Sequence, residues 1–542
     1  MDKTKILIII PARGGSKGIP RKNLRTLNGK PLISYSISNA LKISSCEVDC
    51  YVSSNDNEIL LIASKFGAKT ITRDESISGD TTTLDPVIYD AYKKIKKKEN
   101  KEYDLVITLQ PTSPLLSRET IETAIGRLIK NNLDTVISGV YDSHLTWIKL
   151  GNDYIPNYEK RVNRQELPQI YKETGGFVIT RTSFITKNSR FGKRIEVFPL
   201  SKKEAIDIDD FDDWNLCEYY LKRKTILFVV SGNSRIGMGH VYNTLSIANE
   251  ILDHRIVFLV DSTSKLAYDK ITESNYEVYI QDQPSIIQGI ELIRPNVVIN
   301  DILDTTEEYI LELRQRAYRI INFEDIGQGS KHADLVINAM YPEHKLILNH
   351  YYGHEYFILR DEFLYTPEKV IKKDVKSILI SFGGVDPNNF TRRILTLLEG
   401  FCTKHSIAIK VITGMGYKYS EELMRDFPKI KVKNNISNIS EEILNADIVF
   451  TSAGRTTFEV ASIGVPCIVL CQNLRETTHF FASEKNGFYN LGLGEDVLDD
   501  SILEAFKETL NFNLRKLMNS RMLRNGLKKG KSNVLKLIKK TI

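Results

Sequence analysis

The sequence predicts an α/β protein made of three Rossmann-like units, one standing first and two more forming a pair. Three observations carry that reading. Short apolar runs alternate with helix-length segments along the whole chain, the pattern left by parallel sheets built from βα units. Glycine-marked turns follow such runs directly at residues 11–18, 231–239, 381–384 and 451–454. The series also ends and restarts once, where the charged helical stretch 219–224 is followed by Thr225-Ile226-Leu227-Phe228-Val229-Val230. The 542 residues therefore divide into 1–223, 224–370 and 371–542, with the polar segment 366–374 as the hinge of the pair and a cleft between its lobes.

Hydrophobic residues make up 42% and charged residues 26%, the balance of a soluble globular protein with apolar surface for several cores. No apolar run approaches the roughly 18 residues a membrane helix needs, and Met1-Asp2-Lys3 does not open a signal peptide. A cytoplasmic enzyme without a membrane span is the expectation. Cys46, Cys50, Cys217, Cys402, Cys467 and Cys471 lack the paired spacing of a zinc site and read as reduced thiols. The net charge of +6 sits at the C-terminal end, where 515–542 holds ten Lys or Arg and no acid, leaving 64 basic against 68 acidic residues elsewhere. Leu514, Leu517, Leu523, Leu527, Val534, Leu535 and Ile538 interleave with those cations, so the stretch reads as a solvated face of C-terminal helices. No nucleic-acid partner is expected.

In the first unit the strands are 5–11, 48–53, 104–111 and 134–140, and the series ends near 196–209. The first strand runs into Pro11-Ala12-Arg13-Gly14-Gly15-Ser16-Lys17-Gly18-Ile19-Pro20-Arg21-Lys22-Asn23. Its glycines let backbone N–H groups approach an anion, and Arg13, Lys17, Arg21 and Lys22 bring the charge a polyphosphate needs. The spacing is neither a Walker A loop nor a GxGxxG fingerprint. Gln110, in Leu109-Gln110-Pro111-Thr112-Ser113-Pro114 at a strand's carboxyl end, is placed to hydrogen-bond a base or ribose, with Ser117 capping the helix beyond. In Ile206-Asp207-Ile208-Asp209 the alternation reads as a strand end with both carboxylates on one face, two hard oxygen ligands for Mg²⁺ on a triphosphate. Asp210, Asp212 and Asp213 read as the cap of a helix starting near Trp214.

These elements, with Arg164-Gln165-Glu166-Leu167-Pro168-Gln169-Ile170-Tyr171 and Gly175-Gly176, resemble the CMP-sialic acid synthetase (acylneuraminate cytidylyltransferase) family over roughly residues 4 to 222. The resemblance implies a Rossmann-like nucleotidyltransferase domain that joins CTP to a nine-carbon 2-keto sugar acid, a nonulosonic acid, and releases pyrophosphate. It places Arg13, Lys22, Asn23 and Gln110 against CTP, Asp207 and Asp209 on Mg²⁺, and Arg164, Gln165 and Tyr171 near the sugar acid. Catalysis then rests on positioning and charge neutralisation, with Arg13 and Lys22 as cations and no protein general base. A related enzyme for an eight-carbon acid is the alternative. Members of the family dimerise through an inserted arm, which residues 141–170 would supply.

The second series has strands at 225–231, 256–261, 297–301, 319–324 and 334–338, then at 377–380, 408–413, 447–452 and 466–470. Gly232-Asn233-Ser234-Arg235-Ile236-Gly237-Met238-Gly239-His240 leads into a helix patterned by Leu245, Ile247, Ala248, Ile251 and Leu252. A histidine there suits a general base or a diphosphate donor. Ser381-Phe382-Gly383-Gly384 and Ser452-Ala453-Gly454-Arg455 are each strand, glycine turn and helix start, the geometry for a pyrophosphate on backbone amides, and Glu459 lies one helical turn past Arg455 to accept ribose hydroxyls.

Residues 224 to about 500 resemble GT-B-fold UDP-sugar enzymes, above all the UDP-sugar hydrolase of pseudaminic acid biosynthesis. Gly237, Gly239 and His240 match its glycine-histidine motif, and Gly383, Gly384, Ser452, Ala453, Gly454 and Glu459 its UDP-binding elements. The resemblance implies a two-lobed GT-B-type unit in which His240 activates water. The chain departs from that family at Asn243, where an arginine is usual, and near 300–304, which lacks an expected aromatic residue. A bifunctional cytidylyltransferase and hydrolase is the expectation. A cytidylyltransferase joined to a non-catalytic UDP-sugar-binding domain or to a glycosyltransferase is the alternative.

Overall fold

In the computed structural model, which describes residues 3–542 apart from 17, 80, 234–235, 343–346, 415, 435 and 437, the run from Lys5 forms a strand, β1 (Lys5–Pro11), whose residues Ile6 to Ile10 are fully buried. Strands covered on both faces read as continuous apolar runs, and β1 is an interior strand of its sheet. The other strands of that sheet are β2 (Glu47–Ser54), β3 (Lys69–Thr72), β4 (Leu105–Leu109), β5 (Thr135–Tyr141), β6 (Tyr171–Arg181) and β7 (Ile195–Pro199). The order is β7-β5-β6-β4-β1-β2-β3. It is parallel except for β6, which runs antiparallel to both neighbours. One hydrophobic cluster lies on each face of the sheet.

The described residues form two compact units, Met1–Arg223 and Lys224–Ile542. Helix α1 (Phe211–Lys222) closes the first. It starts three residues earlier than the sequence suggested, because Asp210 is the N-cap and forms a capping box with Asp213. The segment 206–209 is not the strand that its alternation suggested. It is an irregular stretch, joined to the end of β4 by the Ile208 N–H donating to the Thr112 carbonyl at 2.8 Å.

The second unit holds two parallel sheets. The first comprises β8 (Thr225–Val230), β9 (Arg255–Val260), β10 (Glu277–Ile280), β11 (Val297–Asp301), β12 (Arg319–Phe323), β13 (Leu335–Asn338) and β14 (His350–Tyr352), in the order β10-β9-β8-β11-β12-β13-β14. The second comprises β15 (Ser377–Ile380), β16 (Ala408–Thr413), β17 (Lys431–Asn434), β18 (Ile448–Thr451), β19 (Cys467–Cys471) and β20 (Phe488–Leu493), in the order β17-β16-β15-β18-β19-β20. Both follow the doubly wound Rossmann order, which brings ligands to the strands' carboxyl ends. Each sheet is again covered on both faces. This is a GT-B-type pair of lobes.

Each lobe borrows core from the other's end of the chain. Phe357, Leu359 and Phe363, before the second sheet begins, belong to the second lobe's cluster, where Phe357 stacks on Phe458 at 3.8 Å. The last helix returns to the first lobe and buries Val534 and Ile538 there. The basic tail is therefore not a purely solvated face. Lys531 is buried between Glu250 and Asp361 at 2.6 Å each. Arg515, only 1% exposed, donates to the carbonyls of Lys372 at 2.9 Å and Lys373 at 2.7 Å, which fastens the segment read as a hinge. All six cysteines are free thiols.

A buried carbonyl left bare costs roughly 1–3 kcal/mol. Arg515→Met keeps most of the side-chain volume and strips both carbonyls, so the thermal midpoint of the second unit is expected to fall by several degrees. An unchanged midpoint by differential scanning calorimetry would contradict this role for the guanidinium.

Candidate active sites

In the first unit the loop after β1, the turn after β4 and the stretch 206–209 meet. Lys22 joins two of them, donating to the Ile208 carbonyl at 2.5 Å and lying 3.6 Å from the Asp209 carboxylate. Asn23 is buried and donates to the Arg13 carbonyl at 3.0 Å, and the Gly14 N–H donates to Asn55 at 3.3 Å. Gly18 has to be glycine, since a Cβ there would lie 2.2 Å from the Asp209 carbonyl oxygen. At Gly15 an added Cβ would meet nothing within 4 Å, and Ser16 beside it is half-buried. Arg21 is turned away in a left-handed conformation and pairs with Glu58. Lys17 lies outside the described residues. Gln110 is half-buried at the end of β4, its carbonyl accepting from Ser36.

The two carboxylates differ. Asp209 is exposed, its side chain 83% accessible. Asp207 is largely enclosed, burial raises its pKa, and its Oδ1 has no hydrogen-bond partner. A bulge in β6 at Gly175-Gly176 makes its room, because a Cβ on Gly175 would sit 2.6 Å from Asp207 Oδ2. Arg164, Gln165 and Tyr171 are all exposed and lie off this junction. Arg164 stacks over Tyr141, and both line a hollow of about 270 Å³ with Lys202 and Ile206.

In the second unit a cleft of about 450 Å³ lies between the lobes. Helix α2 (Gly239–Ala248) starts at its edge, ending sooner than the apolar pattern suggested. His240 Nδ1 lies 2.5 Å from Asp301 Oδ1, and Asn243, one turn on, donates to Asp301 Oδ2 at 2.7 Å. Asp301 is fully buried as the last residue of β11. Gly237 has φ 83°, and a Cβ on Gly239 would strike Arg455 Cδ at 2.8 Å. Arg455 begins α3 (Arg455–Ile463) and lies on the ring of Phe357.

The second-lobe glycine turns are arranged otherwise than the sequence suggested. Glu476 accepts the Ala453 N–H at 3.2 Å, and Asp386 accepts the N–H groups of Phe390 and Thr391 at 3.0 and 2.8 Å. The helix starting at Phe390 is thus met by a carboxylate of the chain itself, while the Glu476 contact falls just ahead of α3, whose start has no side-chain cap. Gly383, with φ 78°, and Gly384 still line the cleft beside Ser452 and Gly454, while Ala453 is fully buried. Glu459 is engaged by Arg360 at 2.8 Å.

The description "Cytidylyltransferase" belongs to the family model that matches residues 7–227. A pseudaminic acid cytidylyltransferase of Campylobacter jejuni is 33% identical over 226 residues, covering 40% of this chain and 97% of that protein. The chain belongs to the cytidylyltransferase family. An uncharacterized Methanocaldococcus jannaschii protein, MJ1062, is 34% identical over 272 residues, but the match spans only 56% of its length and 46% of this chain. The spore coat polysaccharide biosynthesis protein SpsG of Bacillus subtilis is 25% identical over 316 residues, longer than the whole cytidylyltransferase unit, covering 55% of this chain and 90% of SpsG.

Two groups escaped sequence reasoning. In the cytidylyltransferase unit Arg73 is buried and donates to the Ser53 carbonyl at 2.7 Å; burial and the charge of Arg13 push its guanidinium down to about 10. In the second unit Glu324, just past β12, is buried in a left-handed conformation, φ 51°. Its oxygens accept the N–H groups of Ala339 and Met340 at 3.1 and 3.3 Å. A lone Arg after an edge strand and a lone Glu after a buried one give no spacing signal. The one hint at Glu324 is an acid directly following an apolar strand.

Burial, reinforced by Asp301, raises Glu324 from 4.5 to about 7 against the pull of Arg455. Between those values the fold holds a proton that the unfolded chain has released, so this group makes stability fall as pH rises from 4.5 to 7. Glu324→Gln removes that dependence. The stability of the wild type relative to the variant, from urea unfolding, is expected to decline across this window, and a difference independent of pH would contradict the burial of an ionisable carboxyl.

Proposed function

We propose that the chain is a cytoplasmic bifunctional enzyme whose first unit activates a nonulosonic acid with CTP and whose second unit hydrolyses a UDP-sugar. The meeting of Lys22, Asp209 and the end of β4 supports the first activity, as does the likeness to a pseudaminic acid cytidylyltransferase. The anomeric hydroxyl of the sugar acid attacks the α-phosphate of CTP, and the bond to the departing pyrophosphate breaks. Arg13 and Lys22 hold the phosphates and meet the charge that develops, while Gln110 faces the nucleoside. Asp207 and Asp209 fit Mg²⁺: one offers a buried oxygen without a partner in a space kept open by Gly175, the other an exposed carboxylate. That ion, when bound, neutralises charge on the triphosphate. Arg164 lines a hollow that suits the sugar acid, Tyr171 packs edge-on against Tyr141 of that hollow, and Gln165 follows Arg164 in the chain. The hairpin 147–156 nearby exposes Trp147, Ile148, Leu150 and Tyr154, a surface suited to a second copy of this chain.

For the second unit the carrying observation is the His240–Asp301 contact. A buried carboxylate on Nδ1 fixes the tautomer and leaves Nε2 to take a proton from water. Asn243, where the resemblance leads one to expect arginine, serves this arrangement by occupying the other carboxylate oxygen. Water then attacks the anomeric carbon and UDP departs.

Pyrophosphate release by the full chain is expected to need CTP, Mg²⁺ and a neuraminic, legionaminic or pseudaminic acid together, and to fall at least 10²-fold in Asp209→Ala. Full activity in that variant, or none with any of these acids, would overturn the first assignment.

UDP release from UDP-diacetamido-trideoxyhexoses is expected in water without an acceptor, dropping roughly 10²- to 10⁴-fold in His240→Ala. Tight UDP binding without turnover would instead leave a binding or transferase unit.

A further inference from the structure

The cleft of the second unit is lined by a second proton-bearing group besides the histidine. Asp301 ends β11, and Glu324 follows β12, the adjacent parallel strand, paired so that Asn300 lies beside Asn322. Both carboxyls therefore emerge at the carboxyl edge of one sheet, where open α/β folds bind ligands. Their surroundings differ. Asp301 has both oxygens bonded to His240 and Asn243. Glu324 is bonded only to backbone amides and lines the same cleft as His240.

Accepting the Ala339 and Met340 amides does not by itself call for an ionisable group at position 324. A left-handed conformation there costs a non-glycine residue roughly 1 kcal/mol or more, and burying a carboxyl adds to that. A polar network nonetheless holds this backbone firmly. Asn322 donates to Asp325 at 2.6 Å, the Asp325 N–H donates to Asn338 at 2.9 Å, Asn338 donates back to the Asp325 carbonyl, and the Glu324 N–H donates to the Ile337 carbonyl at 3.0 Å. Arg475, reaching from the second lobe, donates to the Glu324 carbonyl and, at 3.1 Å, to Asp304. Strain that is over-determined by its surroundings and faces a cleft is a sign of function.

We propose that Glu324 is the general acid of this cleft, delivering a proton to the diphosphate oxygen that leaves as His240 takes one from water. The assignment rests on reading the second unit as a UDP-sugar hydrolase. A proton donor and a histidine that line one cleft are the groups acid–base catalysis needs, and the elevation of Glu324 to about 7 keeps part of it protonated near neutrality. The charged and titratable groups facing it are Arg455, Asp301 and His240, with Arg475 and Tyr341 behind. The step balances. The water oxygen bonds to the anomeric carbon and its proton passes to His240 Nε2; the carbon–oxygen bond breaks with its electron pair on the phosphate oxygen, which takes the Glu324 proton. Solvent then returns a proton from His240 to Glu324.

Calorimetry of UDP-N-acetylglucosamine binding to the full chain at pH 7.5, in two buffers of different ionisation enthalpy, counts protons. This probe exchanges none of its own near that pH. An anion beside Glu324 favours the neutral acid, so uptake approaching one proton per site is expected in the wild type and none in Glu324→Gln. No uptake in the wild type, which depends on no variant folding, overturns the proposal, as does equal uptake in both proteins. Absence of any binding by this probe and by UDP overturns the UDP-sugar reading and the assignment with it. In turnover, kcat is expected to decline above pH about 7 and the variant to lose that limb together with roughly 10²-fold or more of the rate. Proton uptake without any UDP release would fell the hydrolase reading and with it the role as acid, while the uptake itself would still locate the proton on Glu324.

Discussion

The second unit is organised around one buried carboxylate. Asp301 is fully enclosed at the end of β11, and an ionised carboxyl out of water is tolerable only where partners take up its oxygens. Those partners come from a single helix turn, His240 and Asn243 of α2. Much of the local sequence follows from bringing that turn close enough. Gly237 supplies the positive φ that redirects the chain, and Gly239 leaves room for the Arg455 side chain arriving from the other lobe. Arg455 is itself buried against Asp301, Glu324 and Glu459, so the charge balance of one strand end is completed only when both lobes are in place. The ion pair of Asp304 with Arg475 repeats this at the rim.

The cytidylyltransferase unit handles charge in the opposite sense. Its junction gathers cations, with Arg73 close enough to Arg13 to feel its charge, an arrangement that an incoming polyphosphate relieves. Lys22 is the pivot, because its amine touches the acidic stretch through both a carbonyl and a carboxylate. The bulge in β6 and the glycine in it then leave space where Asp207 would otherwise be crowded out. The alternation that suggested a strand misleads here: 206–209 is held by one backbone bond to the β4 turn, and no sheet partner orders it.

The central strands of all three sheets were legible because both of their faces are covered and their sequences are unbroken apolar runs. Edge strands were not. Lys69–Thr72, Glu277–Ile280, His350–Tyr352 and Lys431–Asn434 each lie at or beside a sheet margin and mix polar with apolar residues. Strand β6 escaped as well, since its first half reads Tyr-Lys-Glu-Thr-Gly-Gly. Of the site, what glycine spacing and charge clustering encode could be read, including the loop to Asn23 and the turn to His240. What tertiary contact alone creates could not, which is why Asp301 and Glu324 surface only when adjacent strands bring them to one edge.

The same contacts decide where an anion fits in the second unit. A helix start attracts phosphate only while its amides lack a partner. In the second lobe the amides of Phe390 and Thr391, which open the helix Phe390–Lys404, are taken by Asp386, so a diphosphate at that helix would have to displace a carboxylate. Helices α2 and α3 carry no such side-chain cap, their N-caps being Met238 and Gly454. The glycine turns of the two lobes also come close, since a Cβ on Gly384 would lie 3.8 Å from the Met238 nitrogen. Two uncapped helix starts, at Gly239 and Arg455, therefore border this cleft, with Gly383 and Gly384 beside them. His240 and Glu324 face the cleft from the first lobe and Arg455 and Arg475 from the second, so its titratable groups and its cations are brought together only when both lobes are in place.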